Sequence, residues 1–201
     1  MAVHVEILVE ELSMESALRL IIPKIVPQMS FTVYPYQCKQ DLLGKLPDRL
    51  RGYSSWLPRD WQIMVIVDRD DDKCDLLKNQ LEAIARRANL RTRTQGGPHF
   101  QLTNRLAIEE LEAWFFGDWA AVRQAYPKVS SHIPAKQSYR DSDRIPHTWE
   151  SLERILQRAG YFKAGLRKIE LARAIAEHME PNRNRSRSFQ LFRDALLDVS
   201  R

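Results

Sequence analysis

Two cysteines, Cys38 and Cys74, are too few and too widely spaced for a disulfide framework, and without a CxxC pair they make no zinc site. The chain also lacks any apolar run near the roughly 20 residues that span a bilayer. Its start, Met1-Ala-Val-His-Val-Glu6, has neither the basic nor the apolar region of a secretory signal. The cytoplasm is the expected compartment, and no membrane partner is expected. No G-x-x-x-x-G-K-[ST] sequence is present, which excludes nucleotide binding of the P-loop kind. Internal repeats and low-complexity tracts are absent as well.

What is present is the composition of an ordinary globular protein, 44% hydrophobic and 28% charged over 201 residues, enough for one domain with a full core. The formal net charge of +5 is uneven. Residues 151–201 hold eleven Lys/Arg against six Asp/Glu, whereas the first 150 residues balance at twenty of each. That distribution suits a polyanion held beside an acidic site, and equally a well-solvated helical surface.

The acidic site is the most informative feature. The apolar run Ile63-Met-Val-Ile-Val67 leads directly into Asp68-Arg-Asp70-Asp71-Asp72. Four carboxylates in five residues repel one another, and a hard divalent cation is the usual reason to gather them. A second apolar run, Val5-Glu-Ile-Leu-Val9, leads into Glu10-Glu11. Side by side in a parallel sheet, two such strand ends make a metal site.

Strands alternating with helices predict an α/β fold, a mostly parallel sheet flanked by helices, with a C-terminal helical extension. Strands are expected at 3–9, 31–36, 61–67 and 100–106, with a further short one at 90–94 and a turn at Gly96-Gly97-Pro98. Ser13 is the expected cap of the first helix, whose later turns Pro23 disturbs. Pro47 predicts that a helix over 38–50 kinks or stops early, followed by a loop over 51–60. Leu76, Leu77, Leu81, Ile84 and Ala88 place an amphipathic helix after the acidic cluster. Residues 108–126 read as helix with a break at Gly117, and residues 127–147, with three prolines, as a long loop or lid. Three amphipathic helices follow, near 148–159, 164–179 and 187–198. A boundary near 127 divides the chain into 1–126, carrying the metal site, and 127–201, a lid and helical extension packed on it.

Several uses of the acidic cluster can be set aside. An EF-hand loop needs Gly where Lys73 stands and Glu where Asn79 stands, and a helix rather than a strand leads into it. A Walker B role has no P-loop to serve. An aspartyl-phosphatase motif takes Thr or Val after its second Asp, and Asp71 and Asp72 follow Asp70 here. What remains is Mg²⁺ or Mn²⁺ held by Asp68 and Asp70 with help from Glu10, with Asp71 and Asp72 opening the next helix. His99, His132, His147 and His178 have no ligand spacing.

Val9-Glu10, a helix, and then Val67-Asp68-Arg69-Asp70 resemble the Toprim domain shared by topoisomerases, primases and overcoming-lysogenization-defect nucleases. The resemblance covers roughly residues 3–120 and implies a Toprim-like fold. It also implies Glu10 as general acid/base or metal ligand, and Asp68 and Asp70 as Mg²⁺ ligands. Glu11 departs from it, since that domain usually has Gly there. A wider resemblance is to the Toprim-like DUF4276 family of bacterial, often defence-associated proteins. Glu112, Trp114 and Asp118 match its E-x-W-(x)3-D signature, and Pro181-Asn-Arg-Asn-Arg-Ser-Arg-Ser-Phe189 resembles its C-terminal segment.

On a helix, Glu109, Glu112 and Phe116 share one face and Ile108, Leu111 and Phe115 another. Glu112 is therefore expected off the core, either as a further metal ligand or as part of a solvated acidic face. Trp114 is read as a packing residue. Arg183, Arg185 and Arg187, just before a helix N-terminus, are read either as a phosphate clamp for nucleic acid or as a solvated connector. The implied activity is Mg²⁺- or Mn²⁺-dependent hydrolysis of nucleic acid, DNA rather than RNA. The alternative is a partner-activated subunit of a complex whose separate ATPase supplies the missing P-loop. A topoisomerase needs a nucleophilic tyrosine in another domain and a primase a template module, and this length holds neither.

Overall fold

Strands whose two faces are both covered need apolar residues at every position, and the chain has two such runs. In the computed structural model, which describes residues 3–96 and 99–199, they are β1 (His4–Val9) and β3 (Trp61–Asp68) at the centre of a sheet. β2 (Ser30–Pro35) and β4 (Leu102–Ala107) flank them. The order among the described residues is β2-β1-β3-β4, and every pairing is parallel. Pro35 lies on an edge strand, where a missing N–H costs no interior ladder bond.

Eight helices complete the described chain: α1 (Leu12–Ile25), α2 (Lys39–Trp56), α3 (Cys74–Arg87), α4 (Leu111–Gly117), α5 (Trp119–Ala125), α6 (Thr148–Arg158), α7 (Lys168–His178) and α8 (Arg187–Val199). Val5, Ile7, Val9, Met64 and Ile66 face a core shared with α1 and α4 to α8. Leu8, Ile63, Val65 and Val67 face the opposite core, built with α2 and α3. The residues after 127 thus share the core of the sheet rather than standing apart. Lys24 on α1 reinforces this by donating to the carbonyls of Ala176, Glu177 and Met179 at 3.1, 2.6 and 2.9 Å, which caps the end of α7. Among the described residues no helix is long and apolar enough to cross a membrane.

Several local expectations change. Helix α2 runs through Pro47 to Trp56 because Leu42, Leu46, Leu50 and Tyr53 form one buried stripe, and that burial outweighs one lost backbone bond. Only residues 57–60 are left as the loop. Helix α1 likewise continues past Pro23, and its N-cap is Glu11 rather than Ser13. Helix α3 begins at Cys74, so Asp71 and Asp72 precede it, and Leu76 is exposed. The short strand expected at 90–94 reduces to one bridge, Thr92 with Leu102, followed by a 3-10 turn over Arg93–Gln95. Gly97 and Pro98 of the expected turn lie outside the described residues. Residues 127–147 form three 3-10 turns, and they are tied down: Val129, Ile133 and Ile145 are buried, and Tyr139 stacks on Phe116 with ring centroids 5.6 Å apart.

The C-terminal segment docks on α4 through its polar residues. Asn184 donates to the Trp114 carbonyl (2.8 Å), the Arg185 N–H to the Gly117 carbonyl (2.9 Å), and the Trp114 indole N–H to Ser188 Oγ (2.9 Å). A Cβ at Gly117 would lie 2.2 Å from Asn184 Oδ1 and 2.7 Å from the Ser186 nitrogen, so only glycine permits this approach. Gly117→Ala is expected to destabilise the fold by about 1–3 kcal/mol in chemical denaturation. Gly44→Ala, in the exposed middle of α2 with nothing within 4 Å of the new methyl, is expected to stabilise it by about 0.5–1 kcal/mol. Equal effects of the same sign would contradict this account of the docking.

Candidate functional site

The sheet reverses its winding between β1 and β3. Helix α1 carries the chain from β1 to β2 across one face, and α2 carries it from β2 to β3 across the other. Connections leaving such a pair in opposite directions open a crevice at the carboxyl ends, where ligands of open α/β sheets bind. Val9 pairs with Ile66 in register, so Glu10 and Asp68 both emerge there. The Asp68 backbone N–H donates to Glu10 Oε2 at 3.3 Å, which joins the two strand ends.

Parity along β3 sends Asp68 to the face of Met64 and Ile66, the face that α4 covers. Its side chain is 5% exposed, and Oδ1 has no hydrogen-bond partner. Burial, then the charges of Glu10, Glu112, Glu11 and Asp70, hold its carboxyl well above the ordinary carboxylate range. Glu10 is pushed up to about 7 by burial first and Asp70 second, against the pull of Lys39. Glu112 rises to about 8, chiefly through burial, with Lys168 opposing. The expectation that Glu112 points off the core is corrected: every residue of α4 is buried, so the helix has no solvated face. Its carboxylate is one of those that act on Asp68.

Asp70 has a left-handed backbone (φ 48°), a conformation that Asp tolerates better than most residues. The turn is pinned to the end of β4 by the Arg69 N–H on the Ala107 carbonyl and the Asp70 N–H on the Glu109 carbonyl, each 2.8 Å. The Asp70 side chain meets Lys39 Nζ at 2.5 Å, Asp72 meets it at 3.0 Å, and the same ammonium donates to the Arg69 carbonyl at 3.2 Å. Lys39 is buried. Burial alone would lower its pKa, but the bonds to Asp70 and Asp72 and the charges of Asp70 and Glu10 outweigh it and raise it. On the other flank, Lys168 lies 4.0 Å from Glu11 and over the Trp149 ring, with its pKa raised by Glu112, Glu11, Glu110 and Asp68 against the opposing effect of burial.

Neither lysine stands out by motif. Both, however, open a helix, where the macrodipole disfavours a cation. A lysine in the first position of α2 and of α7 is the signal that was there to be read: each is placed to meet carboxylates at the sheet end.

Seven carboxylates, Glu10, Glu11, Asp68, Asp70, Asp72, Glu110 and Glu112, thus bear on two ammonium groups, and Asp68 Oδ1 is left unpartnered. Oxygen donors with excess negative charge fit a hard divalent cation. Among the described residues no three His, Cys, Asp or Glu side chains stand close enough to chelate an ion as they are placed. Asp70 is turned to Lys39, and Glu10 to the Asp68 backbone.

Comparison with known families decides what kind of chain has this arrangement. One family model, described as a domain of unknown function (DUF4276), matches residues 9–197. The chain belongs to the DUF4276 family. No curated protein and no solved structure matches it.

Within this DUF4276 chain, the signature helix and the C-terminal segment touch each other. Asp118 is buried and accepts from Arg183 Nε (2.7 Å), Arg183 Nη2 (3.0 Å) and the Glu180 N–H (2.8 Å). Trp114 stacks on Phe192 and meets Phe189 edge-on, as a packing residue does. Along residues 183–188 the arginines are exposed, while Asn184, Ser186 and Ser188 are buried. The first turn of α8 is already satisfied, because Asp143 accepts from the Ser188 N–H (2.7 Å) and Ser186 Oγ (2.6 Å). Arg183 is bound to Asp118, so of the expected clamp Arg185 and Arg187 remain.

The raised carboxyls make a pH prediction for the metal-free protein. Glu10 and Glu112 move from 4.5 when unfolded to about 7 and about 8 when folded. Between those limits the native state holds protons that the unfolded chain has released, so stability falls as pH rises through the window. Glu112→Gln is expected to lessen the fall of the thermal-stability profile between about pH 5 and 8 and to be the more stable protein above that window, by up to about 5 kcal/mol at about 1.4 kcal/mol per pKa unit. A variant profile parallel to that of wild type would contradict the assignment.

Proposed function

We propose that this protein hydrolyses phosphodiester bonds of nucleic acid, with a divalent metal ion held by Asp68 and Asp70 beside Glu10. The observation that carries this reading is the pair of buried carboxylates, Glu10 and Asp68, at the switch point of the sheet, with Asp68 Oδ1 unpartnered. Burying uncompensated charge is costly, and a cation is the partner that offsets it. The Toprim resemblance of Val9-Glu10 and Asp68-Arg69-Asp70 supports the choice of phosphodiester chemistry.

Asp68 would hold the ion, with Glu10 and Glu112 near it and Asp70 joining once it exchanges Lys39 for the metal. When bound, Mg²⁺ or Mn²⁺ supplies charge stabilisation at the phosphoryl oxygens and acidifies water. Glu10, at the end of β1 beside Asp68, takes the proton of the water that attacks phosphorus. The P–O bond to the leaving oxygen then breaks, and that oxygen takes a proton from solvent. Lys39, freed from Asp70, presents its ammonium to a phosphate oxygen as a charge-assisted donor. Helix α4, buried throughout, keeps bulk water from the back of the site, where low polarity strengthens each of these interactions.

The test is incubation of the protein with supercoiled plasmid, linear DNA and RNA in Mg²⁺ or Mn²⁺, with Asp70→Asn and Glu10→Gln in parallel. Metal-dependent nicking by wild type is expected to fall about 100-fold or more in both variants. Identical traces for all three proteins would sink the reading. Ion binding has its own check in calorimetry. Lys39→Ala removes a competing ammonium and is expected to tighten Mn²⁺ binding, whereas Asp70→Asn weakens it; equal affinities in the three proteins would contradict the placement.

A further inference from the structure

Two cavities lie along the β2 side of the acidic strand ends, of about 500 and 470 Å³, and they share Leu12, Tyr36 and Gln37 in their linings. The first reaches Arg167 and Lys168 and borders Glu11. The second reaches Lys45 and Arg49 and borders Asp41. Together they make one groove, basic at each end and apolar in the middle, that passes beside the carboxylate next to Glu10.

The middle is unusual for a protein surface. Leu12 is 50% exposed and Ile169, also in the lining, 48% exposed, two of the few large apolar side chains left open among the described residues. Tyr36 lines both cavities, half-buried, and its backbone N–H donates to the Val9 carbonyl at 2.9 Å. The backbone that carries this aromatic residue is therefore anchored beside the residue that precedes Glu10. At the basic ends Lys45 pairs with Asp41 (2.6 Å) and Arg167 with Glu170 (2.9 Å). Both cations are exposed at the surface, and such pairs are weak enough to exchange for a phosphate. Arg49 lies over the Tyr34 and Tyr53 rings, 4.6 and 4.9 Å from their centroids, and 4.0 Å from Glu6 Oε2, so its guanidinium is held at the groove wall.

We propose that this groove binds a single nucleic-acid strand, with phosphates at Lys45/Arg49 and at Arg167/Lys168 and a base on Tyr36. The proposal rests on the functional reading above. A charged channel interleaved with an aromatic platform and apolar contacts is what an unpaired strand requires, since its bases offer open π-faces. A duplex hides those faces in its own stack and offers a groove like this only its backbone. The β4 side is the competing location. There a smaller cavity, about 230 Å³, is lined by Lys78, Arg105 and Arg187 together with Asp75 and Asp143, and it has no aromatic side chain on which a base could stack.

The experiment measures fluorescence anisotropy of a labelled oligothymidylate of about twelve nucleotides, and of a duplex of the same length, with the full chain in EDTA. Tyr36→Ala is expected to weaken strand binding about 5- to 100-fold, while Tyr36→Phe, which keeps the ring, binds as wild type does. Lys45→Glu with Arg167→Glu, both at exposed positions, is expected to weaken it and to lower the slope of log affinity against log salt by about 1.4, two phosphate contacts at about 0.7 each. Thermal melts confirm that each variant is folded. Strand binding unchanged in the groove variants, or lost instead in Arg187→Glu, overturns the groove and leaves the nuclease reading standing. Duplex bound more tightly than strand overturns it too, as does a wild type that binds neither. The nuclease reading itself falls only if metal-dependent cleavage is also absent.

Discussion

Negative charge held at the carboxyl ends of β1 and β3 is the constraint around which the rest of this structure is arranged. The strand order puts Glu10 and Asp68 in one crevice, and the packing of α4 then excludes the solvent that would have screened them. The protein answers with two ammonium groups, one on each flank. Lys39 comes from the start of α2 on one face of the sheet and Lys168 from the start of α7 on the other. Each sits where a helix dipole disfavours it, because the carboxylates outweigh the dipole. The compensation is incomplete, and Asp68 and Glu112 remain pushed toward their neutral forms. An imbalance left at a switch point in a sheet is the physical case for a cation.

The crevice depends on parts of the chain that carry no chemistry. Helix α4 is held from behind by the C-terminal segment: Asn184 on the Trp114 carbonyl, Ser188 on the Trp114 indole, and Arg183 on Asp118. Gly117 is bare because that segment crosses it at contact distance. Asp143, in the segment that looked like a lid, caps α8. These links make residues far apart in the chain one support for Glu112. Trp114 and Asp118 hold α4 in place, while Glu112 alone of the three acts on the acidic site.

Much of the architecture could be read from residue patterns. Continuous apolar runs marked the two central strands, and their acidic ends marked the crevice, because burial on both faces and the cost of clustered charge are local statements about composition. Pro35 marked an edge for the same kind of reason. Where the reading failed, a local rule was opposed by packing. Pro47 and Pro23 stand inside helices whose buried stripes outweigh a lost bond, and helical periodicity put Glu112 off the core although every residue of α4 is buried. The arginine alternation drew attention to its charged members, yet the residues between them, Asn184, Ser186 and Ser188, are the ones that dock.

By itself, then, the sequence determined that this is an α/β chain with strands in alternation with helices, and that carboxylates end two of them. It determined this because strand burial and charge clustering are written in consecutive residues. Only the tertiary structure decided that Glu10 and Asp68 adjoin, that Lys39 and Lys168 flank them, and that Asp118 is spent on Arg183. Those pairings join residues 30 to more than 100 positions apart, and no local pattern fixes contacts that depend on strand order and on which face each helix covers.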